Sequence, residues 1–215
     1  MLAQIVLFDG FDLLDALAPY EVLWAGGDIA GGALQVELVS FEGAREVPST
    51  PTGMLVKATG RIDLERADLL ILPGAAGSQG GSGPGSIPAL LANAVGTGLS
   101  DVLEQALAKP GLTVGTVCGG SMLLGMAGLL KGRRATTNHA ALEALKDTGA
   151  DVIAARIVDD GNLVTAAGVT SGLDLGVYLL ERMVGPRVAH GVEALFQFER
   201  RGTVWRAQGH EALAW

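Results

Sequence analysis

Short apolar runs alternate along this chain with longer amphipathic or mixed stretches. Residues 5–8, Ile-Val-Leu-Phe, are apolar without a break, and residues 4–8 read as a short strand buried on both faces. Residues 34–41 read as a second strand. Residues 54–59 read as a hairpin arm, set off by the turn-forming cluster at 48–53. Residues 69–72 are again purely apolar and stop at Pro73-Gly74. A Gly/Ser-rich loop covers residues 74–88, and a helical stretch continues to about residue 108. Residues 112–117 predict a strand and 119–130 a helix. A short strand at 134–137, a helix at 140–147, and strands at 151–158 and 163–165 come next. A helix over 171–184 ends with Gly185 at its C′ position and Pro186 beyond. A last helix covers 187–200. In the first helix, Asp15 stands where an N-cap would stand, and Pro19 suits the first turn.

Strands alternating with helices imply an α/β three-layer sandwich with a mostly parallel central sheet. No internal repeat or long linker divides the chain. The expectation is one domain over 1–215, with a core at about 3–185 and a C-terminal helix and tail at 186–215. Sites in such sheets lie beyond the carboxyl ends of the strands. Three segments fall there: the loop before Asp15, the turn Gly74-Ala75-Ala76-Gly77, and the turn holding Cys118.

Composition narrows the class. Hydrophobic residues make up 49% and charged residues 18%, enough apolar material for a large core and too little charge for disorder. Cys118 is the only cysteine, so no intrachain disulfide forms. The net charge of -8, with no basic run beyond Lys131-Gly132-Arg133-Arg134, argues against a nucleic-acid partner. Residues 111–130 carry no charge and are long enough to span a bilayer. Their six glycines and the switch from β-branched to Leu/Met composition read instead as a buried strand turning into a buried helix. The first residues show no positively charged leader, and a reducing cytoplasm is the expected location.

Cys118 is the sharpest chemical feature. Thr116-Val117-Cys118-Gly119-Gly120-Ser121 places it where a strand stops and a helix starts, the context of a nucleophile elbow. A helix N-terminus there is expected to lower the thiol pKa. The alternative is an inert buried cysteine packing as a small hydrophobe. Asp15 is either a plain N-cap or the partner of Cys118. Facing a thiolate, it should keep its proton and serve as a hydrogen-bond donor or general acid. The backbone N–H groups of Gly74, Ala75 and Gly119 are candidate donors to an oxyanion or to substrate. Asn138 and His139, at a strand end, are further candidates for the site; His190 and His210 read as solvated. The loop with Gly80, Gly81, Gly83 and Gly85 lacks a P-loop ending and is either a lid or slack surface. No spacing suggests a metal site.

These residues resemble the ThiJ/PfpI superfamily over about residues 3–185. The resemblance rests on Asp15 and Pro19, Leu72-Pro73-Gly74, and Val117-Cys118-Gly119-Gly120-Ser121. It continues in the run 128–137, in Asp160-Gly161-Asn162-Leu163-Val164-Thr165, and in the run 168–174. The resemblance implies a flavodoxin-like sandwich, a nucleophilic elbow cysteine, no cofactor, and a homodimer acting on a small molecule. Within the superfamily the chain looks most like the isonitrile hydratase branch. Two departures are Gly119, where that branch has threonine, and Thr137-Asn138-His139, where it reads Thr-Thr-His. The expected activity is a cysteine-dependent hydratase converting an isonitrile to an N-substituted formamide. The alternatives are a glyoxalase-like α-oxoaldehyde hydratase and a non-catalytic redox sensor or ligand-binding protein.

Overall fold

The structure is a computed structural model that describes residues 1–78, 81 and 83–210. Gly80 and the tail residues 211–215 thus lie outside the described residues. The chain begins β1 (Leu2–Leu7), β2 (Phe11–Asp12), α1 (Leu13–Ile29), β3 (Gln35–Ser40), β4 (Arg45–Thr50), β5 (Leu55–Ala58), β6 (Gly60–Arg61) and β7 (Leu69–Leu72). It continues through α2 (Ile87–Ala94), α3 (Ser100–Ala108), β8 (Thr113–Val117), α4 (Gly120–Met126), β9 (Arg134–Ala135), α5 (Leu142–Asp147) and β10 (Asp151–Val152). It ends with β11 (Ile157–Asp159), β12 (Leu163–Ala166), α6 (Ser171–Met183), α7 (Pro186–Phe196) and β13 (Trp205–Arg206).

The main sheet has the order β13-β11-β12-β8-β7-β1-β3-β6. Every pair in it is parallel except β11 with β12. Helices α1, α6 and α7 pack together on one side, and α2, α3 and α4 on the other. This is the flavodoxin-like α/β sandwich. β1, β7 and β8 are buried at every position, as their mostly apolar or β-branched runs favour, with Gln4 a buried polar residue in β1. A hairpin of β4 and β5 joins β2 in a separate three-stranded sheet, and β9 pairs with β10.

Several boundaries differ from the sequence expectation, each for a physical reason. Asp12, not Asp15, caps α1: its Oδ1 accepts from Leu14 N at 2.9 Å and Asp15 N at 3.3 Å. The helix therefore starts early enough that Pro19 sits inside it rather than in its first turn. The expected turn at 48–53 is half strand, because residues 48–50 complete β4, Pro48 against β5 and Ser49 and Thr50 against β2, and leave residues 51–53 to make the turn. The helix expected through residue 108 breaks into α2 and α3 at a wide turn, Val95–Leu99, where Gly98 has φ 97°. The expected strand over 151–158 splits, since β10 pairs with β9 while β11 belongs to the main sheet. The helix expected over 119–130 is shorter: α4 has seven residues. Among the described residues no helix is long and apolar enough to cross a membrane.

Candidate active site

β8 ends at Val117 and α4 begins at Gly120, so Cys118 and Gly119 form the elbow between them. Cys118 has φ 53°, a left-handed conformation that costs a non-glycine residue about 1–3 kcal/mol. Surrounding contacts hold it there. Cys118 N donates to Ala166 O at 3.1 Å. Thr137 Oγ1 donates to Cys118 O at 2.7 Å. Ser121 Oγ donates to Thr136 O at 2.7 Å and lies 2.7 Å from Thr116 Oγ1. Thr136 N donates to Thr165 Oγ1 at 2.8 Å. These hydroxyls are buried, so each bond is worth more than it would be in water. The elbow also presses directly on the end of β7. A Cβ at Gly120 would stand 2.1 Å from Leu72 O, and one at Gly74 would stand 2.5 Å from Gly119 N. No larger residue fits this approach.

The early start of α1 turns Asp15 into the site. Its side chain is fully buried. Oδ2 accepts from Gly74 N at 3.0 Å. Oδ1 has no hydrogen-bond partner, and the carboxyl as a whole stands beside the Cys118 thiol. Among the described residues no cation pairs with the carboxyl. Burial first, and the charge of Asp12 second, push its pKa up to about 8; the Gly74 N–H and the thiol pull only partly against this. Burial and the Asp15 charge likewise push the Cys118 thiol up to about 12. This reverses the expectation of a depressed thiol pKa. The elbow N–H of Gly119 and the Asn138 amide both act on the sulfur, but desolvation outweighs them. Both shifts run toward the protonated forms, a carboxylic acid beside a thiol.

A cavity of about 380 Å³ opens on the sulfur. Ala75, from the 74–77 turn, and Cys118 and Gly119, from the elbow, line it together with Asn138; the loop before Asp15 and Asp15 itself do not. Gly74 does not line it; its N–H is taken up by Asp15, so it acts through the carboxyl rather than on a substrate. His139 is exposed at the start of a short 3-10 turn and does not line it either. Asn138 caps that turn, and this one-residue step sends the two side chains apart. The walls are apolar: Ile87, Leu91, Met122, Met126, and the small residues Ala140, Ala141 and Ala144. The sequence places Ile87 in the 74–88 loop and the others in helices, without assigning any of them to the site. The signal available was the spacing of Met122 and Met126, which share one face of the helix leaving the elbow. Among the described residues no three His, Cys, Asp or Glu groups gather as a metal site.

The architecture is a mostly parallel α/β sandwich with a cysteine at a strand-to-helix elbow beside a buried carboxyl. The sequence profile of the DJ-1/PfpI family matches residues 1–182, and the chain belongs to that family. It is 34% identical over 201 residues to an isonitrile hydratase of Pseudomonas putida, covering 90% of this chain and 76% of that protein. It is 28% identical to a helix-turn-helix transcriptional regulator of Pseudomonas aeruginosa, covering 97% of this chain but 57% of the regulator. Its fold is similar to the crystal structure of a ThiJ/PfpI family protein from Pseudomonas syringae. The TM-score is 0.74 at 24% identity, covering 94% of this chain and 76% of that one.

Proposed function

We propose that this protein is a cysteine-dependent hydratase that adds water to an isonitrile and releases an N-substituted formamide. The observation that carries the reading is Asp15, a fully buried carboxyl with no ion-pair partner among the described residues, set behind Cys118, whose residue lines an apolar cavity that Asp15 itself does not line. An isonitrile carbon bears a lone pair and must receive both a proton and a nucleophile. A neutral acid beside a thiol supplies both.

Asp15 delivers its proton to the terminal carbon while Cys118 Sγ bonds to the same carbon. The thiol proton passes to the carboxylate that Asp15 has become. The product is a thioimidate, R–N=CH–S–Cys118. Water then adds across the C=N bond, oxygen to carbon and hydrogen to nitrogen. The C–S bond breaks, the hydroxyl proton goes to sulfur, and R–NH–CHO leaves. Neither half requires a standing thiolate beside a standing carboxylate, which the burial of both groups disfavours. Ala75 and Gly119, at the base of the cavity, position the substrate and the water.

The likeness to the isonitrile hydratase of Pseudomonas putida supports the same reading. The apolar walls favour an isonitrile carbon over an α-oxoaldehyde, whose two oxygens need several donors. We take the chain as one domain, working as a cytoplasmic homodimer without cofactor or nucleic-acid partner. The net charge of -8 supports the last point. Exposed apolar side chains at Leu14, Met54 and Leu55 support self-association.

The test incubates the purified protein and Cys118→Ala with an aryl isonitrile and measures formamide formation. Turnover in the parent and none in the variant is the expected result. No turnover in the parent, with lactate formed from methylglyoxal, overturns it in favour of the α-oxoaldehyde reaction. No turnover on either, with two oxygens gained by Cys118 under mild peroxide, overturns it in favour of a sensor.

A further inference from the structure

Apart from Asp15, the buried polar side chains around Cys118 hold backbone. Thr116, Ser121, Thr136 and Thr137 tie the elbow to the neighbouring strands through carbonyls and hydroxyls. Asn138 differs. Its Nδ2 lies 3.5 Å from Cys118 Sγ, within the longer range of hydrogen bonds to sulfur. Its Oδ1 accepts from Ala140 N at 3.1 Å and caps the turn His139–Ala141. An amide whose oxygen is committed in this way can present only its NH₂ to the opposite side. The donor end therefore faces the sulfur, and a flipped amide would lose both contacts at once. The backbone of Asn138 is fixed in turn, because Thr137 is anchored to the Cys118 carbonyl. Besides Cys118 itself, Asn138 is the only polar side chain lining the cavity among the described residues.

We propose that Asn138 is a catalytic residue whose amide holds the Cys118 sulfur each time it carries negative charge, on attack and again on departure. This deepens the hydratase reading and rests on it for the substrate. Sulfur loses its proton as it bonds to the isonitrile carbon, and it regains an electron pair when the C–S bond breaks. The same Nδ2–H donates in both events, and its geometry needs no rearrangement between them. An asparagine cannot ionise, so it adds no titration of its own near neutral pH. The pH response is left to Asp15 and Cys118.

The test uses Asn138→Ala and Asn138→Asp. The aspartate keeps the acceptor that caps Ala140 and replaces the donor with an oxygen. Two readouts are taken: formamide formation from an aryl isonitrile, and the pH dependence of Cys118 alkylation by iodoacetamide, which needs no substrate assumption. The expected result is a fall in kcat of roughly tenfold to hundredfold for both variants, with KM little changed. The alkylation midpoint should move to higher pH in both. Unchanged kcat and an unchanged alkylation midpoint in Asn138→Asp would overturn the proposal. A parent that alkylates with an Asn138-dependent midpoint but turns over no isonitrile would overturn the hydratase reading and leave the sulfur–amide contact standing. If Asn138→Ala fails to fold, the aspartate variant decides the question alone.

Discussion

Asp15 and Asp174 are buried to nearly the same degree, at 0% and 2% exposure, and their surroundings differ in kind. Asp174, in α6, is matched group for group. Arg156 Nε donates to its Oδ2 at 2.8 Å with the guanidinium ion-paired at 2.6 Å, and Arg201 N donates to Oδ1 at 2.7 Å. Its charge is a structural fixture that ties the Arg156 loop and the chain after α7 to the helix. Asp15 has one backbone N–H, no ion-pair partner among the described residues, one oxygen without a hydrogen bond, and a thiol beside the carboxyl. A carboxyl buried with its partners stabilises a fold. One buried without them is kept neutral, and a neutral acid next to a nucleophile is equipment for proton transfer. The contrast separates scaffold from site more sharply than burial does.

The largest effect that would break this contrast concerns turnover. Asp15→Asn keeps the shape and an acceptor for Gly74 N but removes the proton to be delivered. Formamide formation should fall on the order of 10²–10⁴-fold. The matching change at the other carboxyl, Arg156→Met, should leave turnover per folded molecule unchanged. It strands the Asp174 charge and should cost on the order of 3 kcal/mol in denaturant unfolding. A large loss of turnover with no loss of stability in Arg156→Met would erase the distinction.

Stability against pH sharpens it next. The folded pKa of Asp15 is raised from 3.8 to about 8. The folded protein therefore holds that proton after the unfolded chain has released it. The stability tied to the protonated acid is complete below about pH 4 and is lost as pH rises toward 8. Asp15→Asn should thus be more stable than the parent at pH 8, by on the order of 2–4 kcal/mol, with the gain vanishing below pH 4. The smallest effect is on the rate profile. Turnover by the parent should decline above about pH 8, approaching tenfold per unit, as the acid ionises.

Much of this was legible in the residues because burial leaves a plain signature in some segments. β7 and β8 are apolar or β-branched throughout, and the alternation of such runs with helices carries the parallel sandwich. The elbow was legible for a similar reason: Cys118 sits at the seam between a β-branched run and glycines. The rest depended on choices among near-equals. Asp12 and Asp15 are both plausible caps, three residues apart, and only the pairing of β2 with β4 settles the start of α1 at Leu13. That choice decides whether Asp15 faces solvent or Cys118. β4 was hidden by Pro48 and its polar neighbours, although it is the central strand of the small sheet, between β2 and β5. The split of residues 151–158 into two sheets leaves no local trace. The upward direction of the thiol shift runs against the helix-terminus expectation, because a seven-residue helix offers little against burial.

The proposed chemistry depends on Asp15 being a neutral acid at physiological pH. The most direct measurement is a ¹³C NMR titration of the Asp15 side-chain carboxyl, assigned by its loss in Asp15→Asn. The expected result is a carboxyl signal that keeps its protonated shift through neutral pH and moves with a midpoint near 8. A midpoint near the ordinary aspartate value of about 3.9 would contradict it, since an ionised Asp15 has no proton to give.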